Sequence, residues 1–272
     1  MSVRAFDAIA ATSGLALEAT PFPAGVCDLI SLYAAEATAG GLFRAATSAV
    51  PAQLRNLLQP SCRDDVLVAL RQACWHGDCG TAQWLASHFG LTAADARANG
   101  NAALRWACMH GHLATAQWLA AHFSLTAADA RANDNAALRW ACANGHLPAA
   151  RWLVAHFGLT AADVRADENF ALRWACAGGH LATAQWLAAH SGLTAADARA
   201  ADHDALRRAC AGGHLAAAQW LAAHFGLTAA DASVVDNFAL RFAYVNGHLP
   251  TAHWLAAHFG LRAIGAMVGA PH

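Results

Sequence analysis

The sequence predicts an all-α fold: a solenoid of six helical repeats behind a helical N-terminal cap. Three observations carry that expectation. First, the string Ala137-Leu138-Arg139-Trp140-Ala141-Cys142-Ala143-Asn144-Gly145-His146-Leu147 is one of six versions of itself, with Leu138 echoed at Leu70, Leu104, Leu172, Leu206 and Leu240, each 34 residues from the next. Second, Gly145 recurs in the same register as Gly77, Gly111, Gly179, Gly213 and Gly247. A fixed period of this size marks stacked units, each too small to bury its apolar face alone. Third, the apolar residues inside each copy are spaced as on a helix rather than a strand.

Residues 1–64 do not repeat and form the expected cap. Thr20-Pro21-Phe22-Pro23 punctuates a boundary. Val26, Leu29, Ile30 and Tyr33 then fall at helical spacing, and Gly40-Gly41 breaks that helix. A second short helix is expected over 42–48, and Pro51 opens a third that carries Leu54, Leu57 and Leu58.

The repeats follow at 65–98, 99–132, 133–166, 167–200, 201–234 and 235–268. In the third, Asn135 is the expected N-cap of a helix starting at Ala136. Leu138, Ala141 and Cys142 make its buried stripe, and Gly145 ends it. A second helix from about His146 buries Leu147, Ala150, Leu153, Val154 and Phe157 and stops at Gly158. Thr160 and Asp163 match a capping box, so a third helical turn is expected there. Thr92/Asp95, Thr126/Asp129, Thr194/Asp197 and Thr228/Asp231 repeat the pattern. Arg262 and Gly265 replace it in the last unit, which with Ala266 to His272 reads as a C-terminal cap, residues 269–272 being the tail.

Composition narrows the function. A net charge of −1 argues against a nucleic-acid partner, which calls for a basic stripe. No strongly apolar run is long enough to span a bilayer, and Asp7 and Glu18 interrupt any leader-like stretch. The expectation is an intracellular, cytoplasmic protein without a membrane partner. All 17 basic residues are arginine, which fits either a GC-rich coding sequence or a surface kept clear of ubiquitin attachment. Cys74, Cys108, Cys142, Cys176 and Cys210 share one repeat position. Stacked helices lie about 8–10 Å apart and a disulfide needs Cα atoms within about 7 Å, so these are expected as buried thiols in a reducing compartment.

Four further residue ladders are candidates for chemistry. Trp84, Trp118, Trp152, Trp186, Trp220 and Trp254 each precede a histidine by four residues, so indole and imidazole are expected to stack on the outer layer of the second helices. Metal ligands converge at about 2 Å on one ion, and histidines one repeat apart cannot. The pairs Cys108/His112, Cys142/His146, Cys176/His180 and Cys210/His214 are half a zinc site each. No metal or cofactor is expected. Trp106, Trp140 and Trp174 are expected to pack between central repeats. Arg71, Arg105, Arg139, Arg173, Arg207 and Arg241 are expected to pair with the capping aspartate of an adjacent connector. A catalytic site gathers unlike groups once, whereas these columns spread like groups evenly, and no G-x-S-x-G, H-E-x-x-H or C-x-x-C string occurs. The protein is expected not to be an enzyme.

The short helix ending in Gly-His-Leu, the second helix and the Asp-bearing connector together resemble the ankyrin repeat. Ala-Leu-Arg-Trp-Ala-Cys-Ala-Asn-Gly-His-Leu stands where that family carries T-P-L-H-x-A-A-x-x-G-H-L. The resemblance covers residues 65–268. Departures are the loss of Thr-Pro, an arginine for the family histidine, and a unit one residue longer than usual, which is also the tetratricopeptide length. Trp-rich arrays of this look resemble those of unicellular eukaryotes and large DNA viruses.

The resemblance implies a non-enzymatic scaffold that binds a partner protein in a concave groove, alone as a monomer or as a subunit of a larger complex. The positions ahead of each turn glycine, which the repeat leaves variable, supply the candidate partner-binding residues Trp75, His76, Met109, His110, Asn144 and Asn246. Trp75 is equally well placed to be covered by residues 1–64. Phe22 to Tyr33 also resembles the opening of an F-box, which implies an alternative role as substrate adaptor of a ubiquitin ligase.

Overall fold

A computed structural model describes residues 63–261. Residues 1–62 of the expected N-terminal cap, including the F-box-like stretch 22–33, and residues 262–272 lie outside the described residues. Seventeen helices and no strands make up the described residues. Helix α1 (Arg63–His76) and α2 (Cys79–His88) form the first hairpin, and α3 (Ala93–Ala96) leads to the next. Each later repeat copies the plan, with first helices α4 (Ala98–Met109), α7 (Ala132–Ala143), α10 (Ala166–Ala177), α13 (Ala200–Ala211) and α16 (Val234–Val245). The second helices are α5 (Leu113–His122), α8 (Leu147–Phe157), α11 (Leu181–Ser191), α14 (Leu215–Phe225) and α17 (Leu249–Phe259). The connector turns are α6 (Ala127–Ala130), α9 (Ala161–Val164), α12 (Ala195–Ala198) and α15 (Ala229–Ala232). First helices pack on first helices and second on second along the stack.

The core is a ladder of two leucines per repeat. Leu70, Leu85, Leu104, Leu119, Leu138, Leu153, Leu172, Leu187, Leu206, Leu221, Leu240 and Leu255 are all fully buried. Each contributes about 1.5–3 kcal/mol by leaving water. Alanines such as Ala116, Ala150, Ala184 and Ala218 are equally buried; their small side chains let neighbouring helices approach. Cys74, Cys108, Cys142, Cys176 and Cys210 are buried free thiols, and burial pushes their pKa up.

Two expectations are corrected here. Asn135 is not an extended N-cap. It lies at φ 59°, ψ 35°, the third of three consecutive left-handed residues, Asn133, Asp134 and Asn135, and its buried Oδ1 accepts no hydrogen bond from the protein. The same left-handed triplet occurs at Asn99–Asn101, Asp167–Asn169, Ala201–His203 and Val235–Asn237. L-residues pay about 1–2 kcal/mol each for this region, least when they are Asn or Asp.

That geometry explains the second correction, the partner of the constant arginines. The Nη2 of Arg105, Arg139, Arg173 and Arg207 donates to the carbonyl of the first left-handed residue, Asn99, Asn133, Asp167 and Ala201, at 2.9–3.1 Å. Arg139 and Arg173 also reach forward to Asp167 and Asp204 of the next repeat. The capping aspartates are taken by a different column: Arg97–Asp129 (2.7 Å), Arg131–Asp163 (2.8 Å), Arg165–Asp197 (3.0 Å) and Arg199–Asp231 (2.7 Å). The connector arginine sits two residues beyond its own aspartate, on the edge that faces the following connector.

Each of these aspartates also closes its own connector turn. Asp163 Oδ2 accepts from the Thr160 backbone N–H at 2.7 Å and from Thr160 Oγ1 at 3.0 Å. Arg131 first, and the Thr160 hydrogen bonds after it, hold the Asp163 carboxyl down at about 2 against the opposing effect of burial. Asp163→Ala is expected to cost about 1 kcal/mol through the lost cap. Because the carboxyl's folded pKa is depressed, that contribution is present above the ordinary carboxylate value and fades as pH falls towards 2. Denaturant midpoints of the wild-type and Asp163→Ala chains, compared at pH 7 and pH 2.5, check both parts.

Candidate functional site

The turn between first and second helix is built from a glycine and the histidine of the next repeat. Gly145 has φ +75°, a conformation that favours glycine. It is also the floor of a seat, since a Cβ built on it would lie 2.6 Å from Cγ of the His180 ring. His112 rests in the same way on Gly77, His146 on Gly111, His214 on Gly179 and His248 on Gly213. Three of the rings reach the backbone of the repeat below: His112 Nε2 lies 2.9 Å from the Trp75 carbonyl, and His146 and His214 bond the backbone of Met109 and Ala177. A carbonyl acceptor requires the Nε2–H tautomer. In the first repeat Asp78 stands where the imidazole stands later, and its Oδ1 caps α2 by accepting from the Thr81 N–H at 2.9 Å.

The six sequence-derived candidates flank these turns. Trp75 and His110 come together, ring centroids 4.1 Å apart, and Trp75 meets Trp106 edge-on at 5.3 Å. Trp75, Met109 and His110 are half-buried and His76 is exposed. Burial, then the neighbouring His112, His146 and His76, lowers the His110 pKa to about 4. Asn144 and Asn246 stand apart from this cluster. Asn144 Nδ2 donates to the carbonyls of Met109 and Trp140, both at 3.1 Å, and Asn246 Nδ2 donates to Ala211 at 2.8 Å. Their amide nitrogens therefore stitch repeats together, Asn144 with both of its N–H donors and Asn246 with one.

On the opposite layer, indole and imidazole stack as expected. Trp84/His88, Trp118/His122, Trp152/His156, Trp186/His190, Trp220/His224 and Trp254/His258 lie 4.9–5.3 Å apart and within 24° of parallel. The indoles are half-buried and the imidazoles exposed. Phe89, Phe123, Phe157, Phe225 and Phe259 meet their indoles edge-on. Of the second tryptophan set, Trp140 meets Phe170 of the next repeat at 5.4 Å and Trp174 lies under the Arg208 guanidinium at 4.4 Å. Among the described residues no three His, Cys, Asp or Glu gather as a metal-binding group, and no helix is long and apolar enough to cross a membrane. Sequence reasoning missed one surface feature. The exposed large apolar side chains among the described residues, Val235, Val245 and Leu249, all belong to the sixth repeat, Val245 at 79% exposure. The signal was there: valine replaces the alanines Ala201 and Ala211 of the fifth repeat.

Stacked three-helix units, joined glycine to imidazole and arginine to aspartate, define a helical-repeat protein. The sequence model of ankyrin repeats matches this chain in three copies, across residues 70–167 and 124–197. The chain belongs to the ankyrin-repeat family. No curated protein matches it. Repeats of this family generally mediate protein–protein interaction and are typically non-enzymatic.

Proposed function

We propose that the array is a non-enzymatic scaffold that holds a partner protein in a groove along its turn edge, with the strongest contacts at the first two repeats. Trp75, His76, Met109 and His110 are the residues that carry the contact, and Asn144 and Asn246 add side-chain carbonyl oxygens further along. The supporting observation is the tilted Trp75–His110 ring contact at positions that narrow to Ala143, Ala177-Gly178 and Ala211-Gly212 in the middle of the array. Aromatic and methionine side chains that are part-buried, and so pre-ordered, are the residue types on which binding energy concentrates. A cytoplasmic partner suits the column of free thiols.

The test is an affinity capture with the intact chain, followed by quantitative binding of whatever it retains to the Met109→Ala/His110→Ala variant. Binding is expected to weaken by at least about tenfold, the effect of losing one interface hot spot, while the melting temperature moves little. A loss of stability as large as the loss of binding would show that these side chains serve packing alone.

A further inference from the structure

The column of turn imidazoles has properties that packing alone does not demand. His112, His146, His180, His214 and His248 lie one per repeat, each wedged on a left-handed glycine of the repeat before it. The carbonyls that take the imidazole N–H belong to Trp75, Met109 and Ala177, residues whose side chains face the proposed groove. The glycine lies against Nδ1 in every one of these joints, and His112 finds an acceptor at Nε2 while His146 and His214 likewise take a backbone partner. A neutral imidazole matches that pair of surroundings; an imidazolium, with donors on both nitrogens, does not.

We propose that this column is an acid-opened latch: protonation of the turn imidazoles loosens the joints between repeats and, with them, the backbone beneath the groove. The regulatory half of the idea rests on the groove reading above; the opening of the joints does not. The titratable groups acting on the column are other imidazoles. His112 acts on His146; His146 and His214 act on His180; His248 acts on His214. At the first joint His110 feels His112, His146 and His76. Among the described residues no carboxylate acts on His146, His180 or His214, Asp78 standing only at the head of the column before His112, so each proton taken up by these three raises the cost of the next. Burial first lowers the pKa of His146, His180 and His214, with like charge from neighbouring imidazoles adding to it and the backbone hydrogen bonds of His146 and His214 opposing it. A histidine whose folded pKa lies below its unfolded value leaves stability intact above about pH 6.5 and removes it as pH falls towards the folded value. The loss therefore sets in as pH falls below about 6.5, well above the range in which Asp129 and Asp163, each held at about 2, begin to titrate.

The experiment is amide exchange on the full chain without partner, read at Gly111, Gly145 and Gly179 and corrected for intrinsic rates. Each imidazole whose folded pKa is depressed adds to opening as pH falls, and the contributions of the joints multiply. Exchange at these turns is expected to rise at least about tenfold between pH 7 and pH 5. In the His146→Gln/His180→Gln/His214→Gln chain, where an amide N–H replaces Nε2–H and cannot take a proton, most of that rise is expected to vanish. Should the triple variant not fold, His180→Gln alone is expected to remove the rise at Gly145. A flat wild-type profile from pH 7 to 5, or an undiminished rise in the glutamine chain, overturns the latch. Neither outcome touches the groove reading, which is tested by Met109 and His110.

Discussion

Gly145→Ala is expected to lower the stability of the array by about 3 kcal/mol. An L-residue at φ +75° bears about 1–2 kcal/mol of backbone strain. The new methyl group also occupies the volume of the His180 ring, so the imidazole must leave its seat and loosen the joint to the next repeat. Gly158→Ala is the matched control. Gly158 has φ +60° and nothing within reach of a built Cβ, so only the backbone effect of about 1 kcal/mol remains. Denaturant midpoints of the two variants separate these contributions. Equal shifts would show that the imidazole seat adds nothing.

Leu138→Ala is the second large effect, expected at about 3 kcal/mol. Leu138 is wholly buried in α7, among helices whose backbones stay in place when its side chain is cut back, so most of the cavity persists. Position matters in a one-dimensional stack. Neighbouring repeats hold each other, so a weak third repeat uncouples the units on either side of it. Exchange protection is expected to fall across α4, α7 and α10 together and to fall much less in α17. A uniform loss of protection through α17 would show that the array unfolds as one cooperative body.

Features that repeat within a unit could be read from the sequence, and features that couple units could be read only in part. The leucine ladder, the buried cysteines, the capping Thr160/Asp163 turn and the Trp152/His156 stack each depend on residues three or four apart, and helical periodicity places them. Asn135 was misassigned because Asn serves both as N-cap and as a left-handed residue, and one residue type does not reveal φ. The salt-bridge column failed differently. Two arginines and one aspartate recur in each central unit, and nothing in their spacing says that Arg131 rather than Arg139 reaches Asp163. At the candidate site the sequence pointed to variable positions, where Trp75 and His110 do meet. It could not separate them from Asn144, whose amide nitrogen is occupied by a carbonyl 35 residues earlier.

The joints also govern how the chain can change length. Arg97 reaches Asp129 and Arg131 reaches Asp163, in each case 32 residues ahead, while the ring over each turn glycine comes from 35 residues on. Excision of residues 133–166 would bring Arg131 to Asp197 and seat His180 on Gly111, the same chemistry one notch along. Recombination between homologous coding units can thus lengthen or shorten the protein in steps of 34 residues without new complementary surfaces having to evolve. A gain or loss that is not a multiple of 34 residues throws out of register the clasps that span it.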